Sequence, residues 1–253
     1  MISLNLNDKI ALAIILFSAA ALLLLEVVKR KKPYANLRKV SAYQSIERMI
    51  HEAAEKGQRL VLGLGSDLAD QNPSVTGVVG LPLLELIGRR SVFNDWPVEA
   101  LSGDGTLACL SRMVLNGTYQ DALASELFDS QNSLLAGVSP FGYLAGLLPE
   151  VNHPANAGII LSGNLRPEIL LALDLAGRQN IPAIASSGLP TSAAALLISP
   201  ALIALGEDHF APGASLESNS AAASSLRVQD LLRIIIAAAL VVGALLKLSG
   251  LLP

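Results

Sequence analysis

Short apolar runs alternate with helical patterns through the middle of the chain. Residues 59–64, RLVLGL, are a compact apolar run of the kind a buried strand uses. Ahead of it, SAYQSIERMIHEAAEKGQ sets Ile46, Met49, Ile50, Ala53 and Ala54 at helical spacing, with Ser41 as a candidate cap and Gly57 as the stop. The same order then recurs. PVEALSGDGTLACLSRMVL reads as strand, turn and helix, as do SLLAGVSPFGYLAGLL, AGIILSGNLRPEILLALDLAG and IPAIASSGLPTSAAALLIS, and ALIALGED supplies a last strand. Gly63, Gly103, Gly137, Gly163, Gly188 and Gly206 each stand at or just past the end of an apolar run. This alternation predicts a doubly wound α/β fold with a mostly parallel sheet of about five or six strands. The stretch after the first run is less regular. Pro73, Gly77, Gly80 and Pro82 predict a broken or short helix until Leu83.

The two ends differ from the middle. Residues 10–25 are sixteen uncharged, mostly aliphatic positions, or nineteen if the run is carried past Glu26 to residue 28. As a helix the longer run reaches about 28 Å, near the thickness of a bilayer core. Lys29, Arg30, Lys31 and Lys32 follow the run rather than precede it, which predicts an uncleaved anchor with the basic cluster on the cytoplasmic side. At the other end, residues 231–252 form a second candidate span if Arg233 and Lys247 reach opposite interfaces. The expected organisation is therefore a membrane anchor over residues 1–32, a cytoplasmic α/β domain over 33–226 and a second transmembrane helix over 227–253. That makes a two-pass protein of the cell membrane.

Composition agrees with that picture, at 52% hydrophobic and only 15% charged against about 25% charged in ordinary soluble domains. Residues 33–226 carry ten Lys/Arg against eighteen Asp/Glu, a balance of −8. An acidic domain without a basic stripe is a poor match for nucleic acid. The single cysteine, Cys109, sits in an apolar helical pattern that predicts core packing, and it excludes a disulfide within the chain.

GLGSDLAD, residues 63–70, raises the question of a phosphate-binding loop. Gly63 and Gly65 match the first two glycines of a dinucleotide fingerprint, but Leu68 stands at the third and Pro73 interrupts the following helix. No Gly-Lys-Ser/Thr occurs anywhere. The turns are more informative as a set, because in an open parallel sheet ligands bind beyond the carboxyl ends of the strands. That edge is predicted to carry Gly65, Ser66, Asp67, Ser102, Asp104, Ser139, Ser162, Asn164, Ser186 and Ser187, with Glu207 after the last strand. Such groups hold a small polar or anionic ligand. They equally serve as helix caps. Of the three histidines, His209 in GEDHF reads as part of a solvated turn, and no metal-ligand spacing appears.

The ordered set SGDGT, GVSPFGYLAG, SGN…PEILLALDLAG and LGEDHFAPGASL, followed by LRVQDLLR and an apolar tail, resembles an uncharacterised family of bacterial membrane proteins. The resemblance implies an α/β domain between two terminal helices, and no activity.

On the residues alone, the expectation is a membrane-anchored binding or homo-oligomeric assembly module, since small apolar faces such as TSAAALLISPALIAL exceed what one domain must bury. The alternative is a sensor or enzyme for a small polar or anionic ligand at the Ser/Asp-rich edge. No catalytic set is legible, and the question of an enzyme stays open. The expected partners are membrane lipid at both termini and further copies of the chain, with a small-molecule ligand under the alternative. Neither nucleic acid nor a cofactor is expected.

Overall fold

Every apolar run of the central region becomes a strand, and all six strands run parallel in one sheet. The computed structural model describes residues 12, 14–21, 23, 40–65, 76–212, 227–238, 240 and 241. The chain divides into two units, Lys39–Leu216 and a second made of Met1–Arg38 with Glu217–Pro253.

In the first unit the strands are β1 (Arg59–Gly65), β2 (Glu99–Ser102), β3 (Ser133–Leu135), β4 (Asn156–Asn164), β5 (Ala183–Ser187) and β6 (Leu202–Leu205). Their spatial order is β3-β2-β1-β4-β5-β6. The helices are α1 (Ser41–Lys56), α2 (Gly80–Ser91), α3 (Gly105–Asp121), α4 (Pro140–Val151), α5 (Leu170–Arg178) and α6 (Pro190–Leu196). The first three pack on one face of the sheet and the last three on the other.

Local chemistry explains most element ends. Gly57 takes the left-handed conformation at φ +60° and closes α1, as its sequence position predicts. Ser41 does not cap that helix; Val40 occupies the cap position without a side-chain bond. Helix α2 starts earlier than expected, because Pro82 falls in its first turn, where a missing N–H costs no hydrogen bond. Cys109 is exposed on α3, so its apolar neighbourhood in sequence does not translate into core packing.

The core is double because β1 and β4 are covered on both sides. Val61, Ile159 and Leu161 pack with Leu144 and Leu147 of α4 and Leu173 of α5. Alternate positions Leu60, Leu62, Leu64 and Ile160 are also buried, on the opposite side of the pleat. Strands buried on both faces read as continuous apolar runs, which is why they are conspicuous in the sequence.

At the amino-terminal edge one charged cluster ties three elements together. Arg59 opens β1, Glu99 opens β2, and Glu150 lies in the last turn of α4. Arg59 Nη2 lies 2.6 Å from Glu99 Oε2 and also pairs with Glu150. The guanidinium carbon sits 5.5 Å from the centroid of the Trp96 ring. Burial pushes the Glu99 carboxyl up to about 7; Arg59 opposes that rise and the neighbouring Glu150 adds to it.

The terminal unit corrects the sequence expectation. Among the described residues no helix is long and apolar enough to cross a membrane. The described helical residues of this unit fall into two groups, one within 12–23 and one within 227–241. The second carries Arg227, Asp230 and Arg233. The flanking transmembrane helices, the two-pass membrane placement and the cytoplasmic assignment derived from it are therefore not supported. Lys29, Arg30, Lys31 and Lys32 lie outside the described residues.

The Glu99 carboxyl has a stability consequence with a definite sign. A folded-state pKa raised above the ordinary 4.5 to about 7 leaves stability intact at low pH and removes it as pH climbs through that window. Urea midpoints of the wild type should fall between pH 4.5 and 7 relative to Glu99→Gln, which has no proton to lose, by on the order of 2 kcal/mol. Parallel profiles for the two proteins would contradict this assignment.

Candidate functional site

Helices leaving β1 and β4 depart to opposite faces of the sheet, so the carboxyl ends of these neighbouring strands open a crevice between them. Gly65 ends β1 at φ +61°, and a Cβ built there would lie 2.7 Å from the Asn164 carbonyl oxygen. Gly163 adopts φ +131°, with its Cβ position 2.6 Å from the Leu64 carbonyl oxygen. Only glycine permits both the conformation and the approach. The Gly65 backbone is already committed: its N–H donates to the Tyr143 hydroxyl at 3.3 Å, and its carbonyl accepts from Gly103 N–H at 2.6 Å. Tyr143 is buried, which drives its phenol well above the usual range, so it stays protonated.

The predicted edge residues fall into three groups. Caps form the first. Asp104 accepts from Leu107 N–H at 2.8 Å and Ser139 from Gly142 N–H at 3.0 Å; Ser187, which is not a cap, accepts from Leu189 N–H at 3.3 Å in the turn before α6. Asp104 is almost fully buried, so its first task is to start α3.

The second group comprises Ser102 and Ser162. Both are wholly buried, and neither Oγ has a hydrogen-bond partner among the described residues. Ser162 faces the start of α2, where a Cβ at Gly80 would come within 3.3 Å of its Oγ. Asn164 follows at the end of β4, paired in register with Gly65. Asn164 also borders a small cleft with Tyr143, Arg166 and Glu168, the last with a buried Oε2 that has no donor among the described residues. Arg166 and Glu168 were not anticipated. Their signal is their place in SGNLRPE, directly beyond the β4 carboxyl end.

Ser186 belongs to the third group, a buried chain of hydrogen bonds running Tyr43, Ser186, His209, Thr76. Ser186 is the register partner of Ser162. The Tyr43 hydroxyl lies 2.9 Å from Ser186 Oγ and 3.1 Å from the His209 carbonyl. Ser186 Oγ meets His209 Nδ1 at 2.5 Å, and His209 Nε2 lies 3.0 Å from the Thr76 carbonyl. A carbonyl only accepts, so Nε2 carries a proton and donates it to Thr76. His209 is fully buried rather than in a solvated turn. Ser186 and His209 are both enclosed and held from two sides, which makes the pair a brace joining β5, the turn after β6 and the approach to α2. Tyr43 was missed because its polar end hides it within the helical pattern of α1.

Glu207 stands half-buried in the first turn after β6. Ser66 and Asp67 lie outside the described residues. Among the described residues no three of His, Cys, Asp and Glu are grouped to hold a metal ion.

A six-stranded parallel sheet in the order 3-2-1-4-5-6, with a glycine-tight crevice between strands 1 and 4, defines a Rossmann-like doubly wound α/β protein. The chain belongs to the family described as "Domain of unknown function (DUF6754)", which matches residues 3–251. No curated protein matches the chain, and no solved structure does.

The buried brace is testable by truncation. Tyr43→Phe removes one hydroxyl and should cost about 1 kcal/mol. His209→Ala opens a cavity and strands both Ser186 and the Thr76 carbonyl, so chemical denaturation should show a loss of about 3 kcal/mol. Equal, small losses for the two variants would mean that the chain of bonds contributes nothing as a unit.

Proposed function

We propose that the α/β unit binds a small polar or anionic ligand at the carboxyl edge of its sheet, around the β1–β4 crevice. The observation that carries this reading is the pair of enclosed hydroxyls, Ser102 and Ser162, without partners among the described residues. Burying a hydroxyl unsatisfied costs on the order of 1–3 kcal/mol, a cost that a bound molecule donating or accepting a hydrogen bond would remove. Arg166 beside Asn164 places a cation at the same edge. The ends of α2 and α3 that face this edge are N-termini, whose partial positive charge favours an anion. The strand order by itself is an analogy of fold and adds no ligand identity.

A second reading rests on a different observation. Strand β6 is one of the two outer strands; its first residue, Leu202, is 45% exposed, and the preceding Leu197 and Ile198 are exposed at 65% and 78%. An apolar edge of this kind suits pairing between copies of the chain, which makes the unit a homo-oligomeric assembly module.

Asp104→Ala would confuse these readings, because Asp104 caps α3. Ser162→Ala separates them. Removing an unpartnered buried hydroxyl should raise the stability of the ligand-free protein by about 1 kcal/mol. The same change should abolish the thermal stabilisation given by inorganic phosphate or AMP and remove any reproducible small mass retained on the 26.4 kDa chain in native mass spectrometry. A wild type that retains no added mass and responds to neither probe overturns the ligand reading. For the assembly reading, Ile198→Asp should convert a discrete oligomer to monomer in the same spectrum; an unchanged stoichiometry removes the β6 edge as the contact.

A further inference from the structure

The amino-terminal edge of the sheet, opposite the one just described, holds a cavity of about 720 Å³. It is built where the α2–β2 and α3–β3 connections pass over the starts of β1 and β2 and the end of α4. This volume lies within the range that small-molecule sites occupy, about 300–1,000 Å³. Its lining is chemically lopsided. Four carboxylates, Asp95, Glu99, Asp129 and Glu150, stand against one guanidinium, Arg59. Arg59 is already engaged by both Glu99 and Glu150. An anion entering here would meet net negative charge, although the buried Arg59 Nε has no acceptor among the described residues.

A cation would meet the reverse. Glu99 is 3% exposed, and its Oε2 has no hydrogen-bond donor aligned on it, although Arg59 Nη2 lies 2.6 Å away as an ion-pair contact. Within the chain Glu99 has to share Arg59 with Glu150, which leaves its carboxylate able to accept a further N–H. Trp96, whose ring lies 5.5 Å from that of His153, supplies a half-exposed aromatic wall, and the exposed Phe93 extends it. A divalent metal is a poorer fit, since no three ligating groups converge among the described residues.

We propose that this cavity binds a small organic cation, a primary ammonium on an apolar or aromatic body, with Glu99 and Glu150 as counter-ions and Trp96 as the wall for the body. The site is separate from the carboxyl-edge crevice and stands or falls independently of it. Binding is linked to protons. The groups around Glu99 are Arg59 on β1, Glu150 on α4, and Asp129, Trp96 and His153 on the connecting segments. An ammonium favours the ionised carboxylates, so its binding releases protons near neutral pH, where the Glu99 carboxyl titrates.

Trp96 is the chain's only tryptophan, so its fluorescence reports on this cavity alone. Phenethylamine titrated into the full-length protein at pH 7.5, with excitation selective for tryptophan, should give a saturable change. Phenylacetate, with the same ring and the opposite charge, should give none. Glu99→Gln and Glu150→Gln should each weaken phenethylamine binding about tenfold, and calorimetry in two buffers of different ionisation enthalpy should register proton release. The variants could lose structure, so the wild-type comparison of cation with anion is decisive. No saturable response up to about 10 mM phenethylamine, the weak limit of a usable site, or an equal response to phenylacetate, overturns the proposal.

Discussion

The pairing of β1 with β4 is the constraint on which the rest of the unit depends. These strands are neighbours in space but are separated in sequence by the whole α2–β2–α3–β3–α4 stretch. Bringing them together means closing a long loop before any contact rewards it. Continuous apolar burial on both faces of both strands offsets that cost, with Val61 and Ile159 on one side and Leu62 and Ile160 on the other. At the carboxyl end the backbones approach so closely that side chains are excluded at Gly65 and Gly163. The crevice is thus a by-product of the tightest part of the core.

Parts of this were legible in the sequence for physical reasons. Strands buried on two faces must be apolar throughout, so RLVLGL and AGIILSGN announce themselves. Caps were legible too, since Asp104 and Ser139 stand where a turn gives way to an apolar helical pattern. Spatial order was not, because no local property records which strand neighbours which. The two readings that failed on His209 and Cys109 failed for a related reason. Polarity of neighbours in sequence says little when a short helix after β6 folds its histidine inward onto Ser186 and Thr76, or when the apolar pattern of α3 leaves Cys109 on its outer side.

The terminal runs illustrate another limit. Hydropathy measures how readily a stretch leaves water, and it does not distinguish a helix that crosses a bilayer from apolar surface used otherwise. Among the described residues no helix is both long and apolar enough to cross a membrane. The Ser/Asp edge had a similar ambiguity between capping and ligand binding. Hydrogen bonds divide these residues without assigning a ligand: Asp104, Ser139 and Ser187 accept from backbone N–H groups, Ser186 belongs to the brace, and Ser102 and Ser162 have no partner among the described residues.

The two edges of the sheet differ in chemistry for a reason rooted in the topology. In a parallel α/β fold each connecting helix runs back against its strands. Helix N-termini therefore gather at the carboxyl edge and helix C-termini at the amino edge. Aligned peptide dipoles give the first edge partial positive charge and the second partial negative charge. Side chains here reinforce that polarity at the amino edge. The carboxyl edge mixes hydroxyls, Asn164 and Arg166 with the carboxylates Asp104, Glu168 and Glu207, while the amino edge holds Glu99, Glu150, Asp95 and Asp129 around a single shared guanidinium. Glu150 is the sharpest case, since a carboxylate in the last turn of α4 works against the dipole and needs a cation. Arg59 supplies one, but it must serve Glu99 as well. One guanidinium between two carboxylates leaves a negative remainder, and that remainder is what makes the amino edge receptive to a cation from outside.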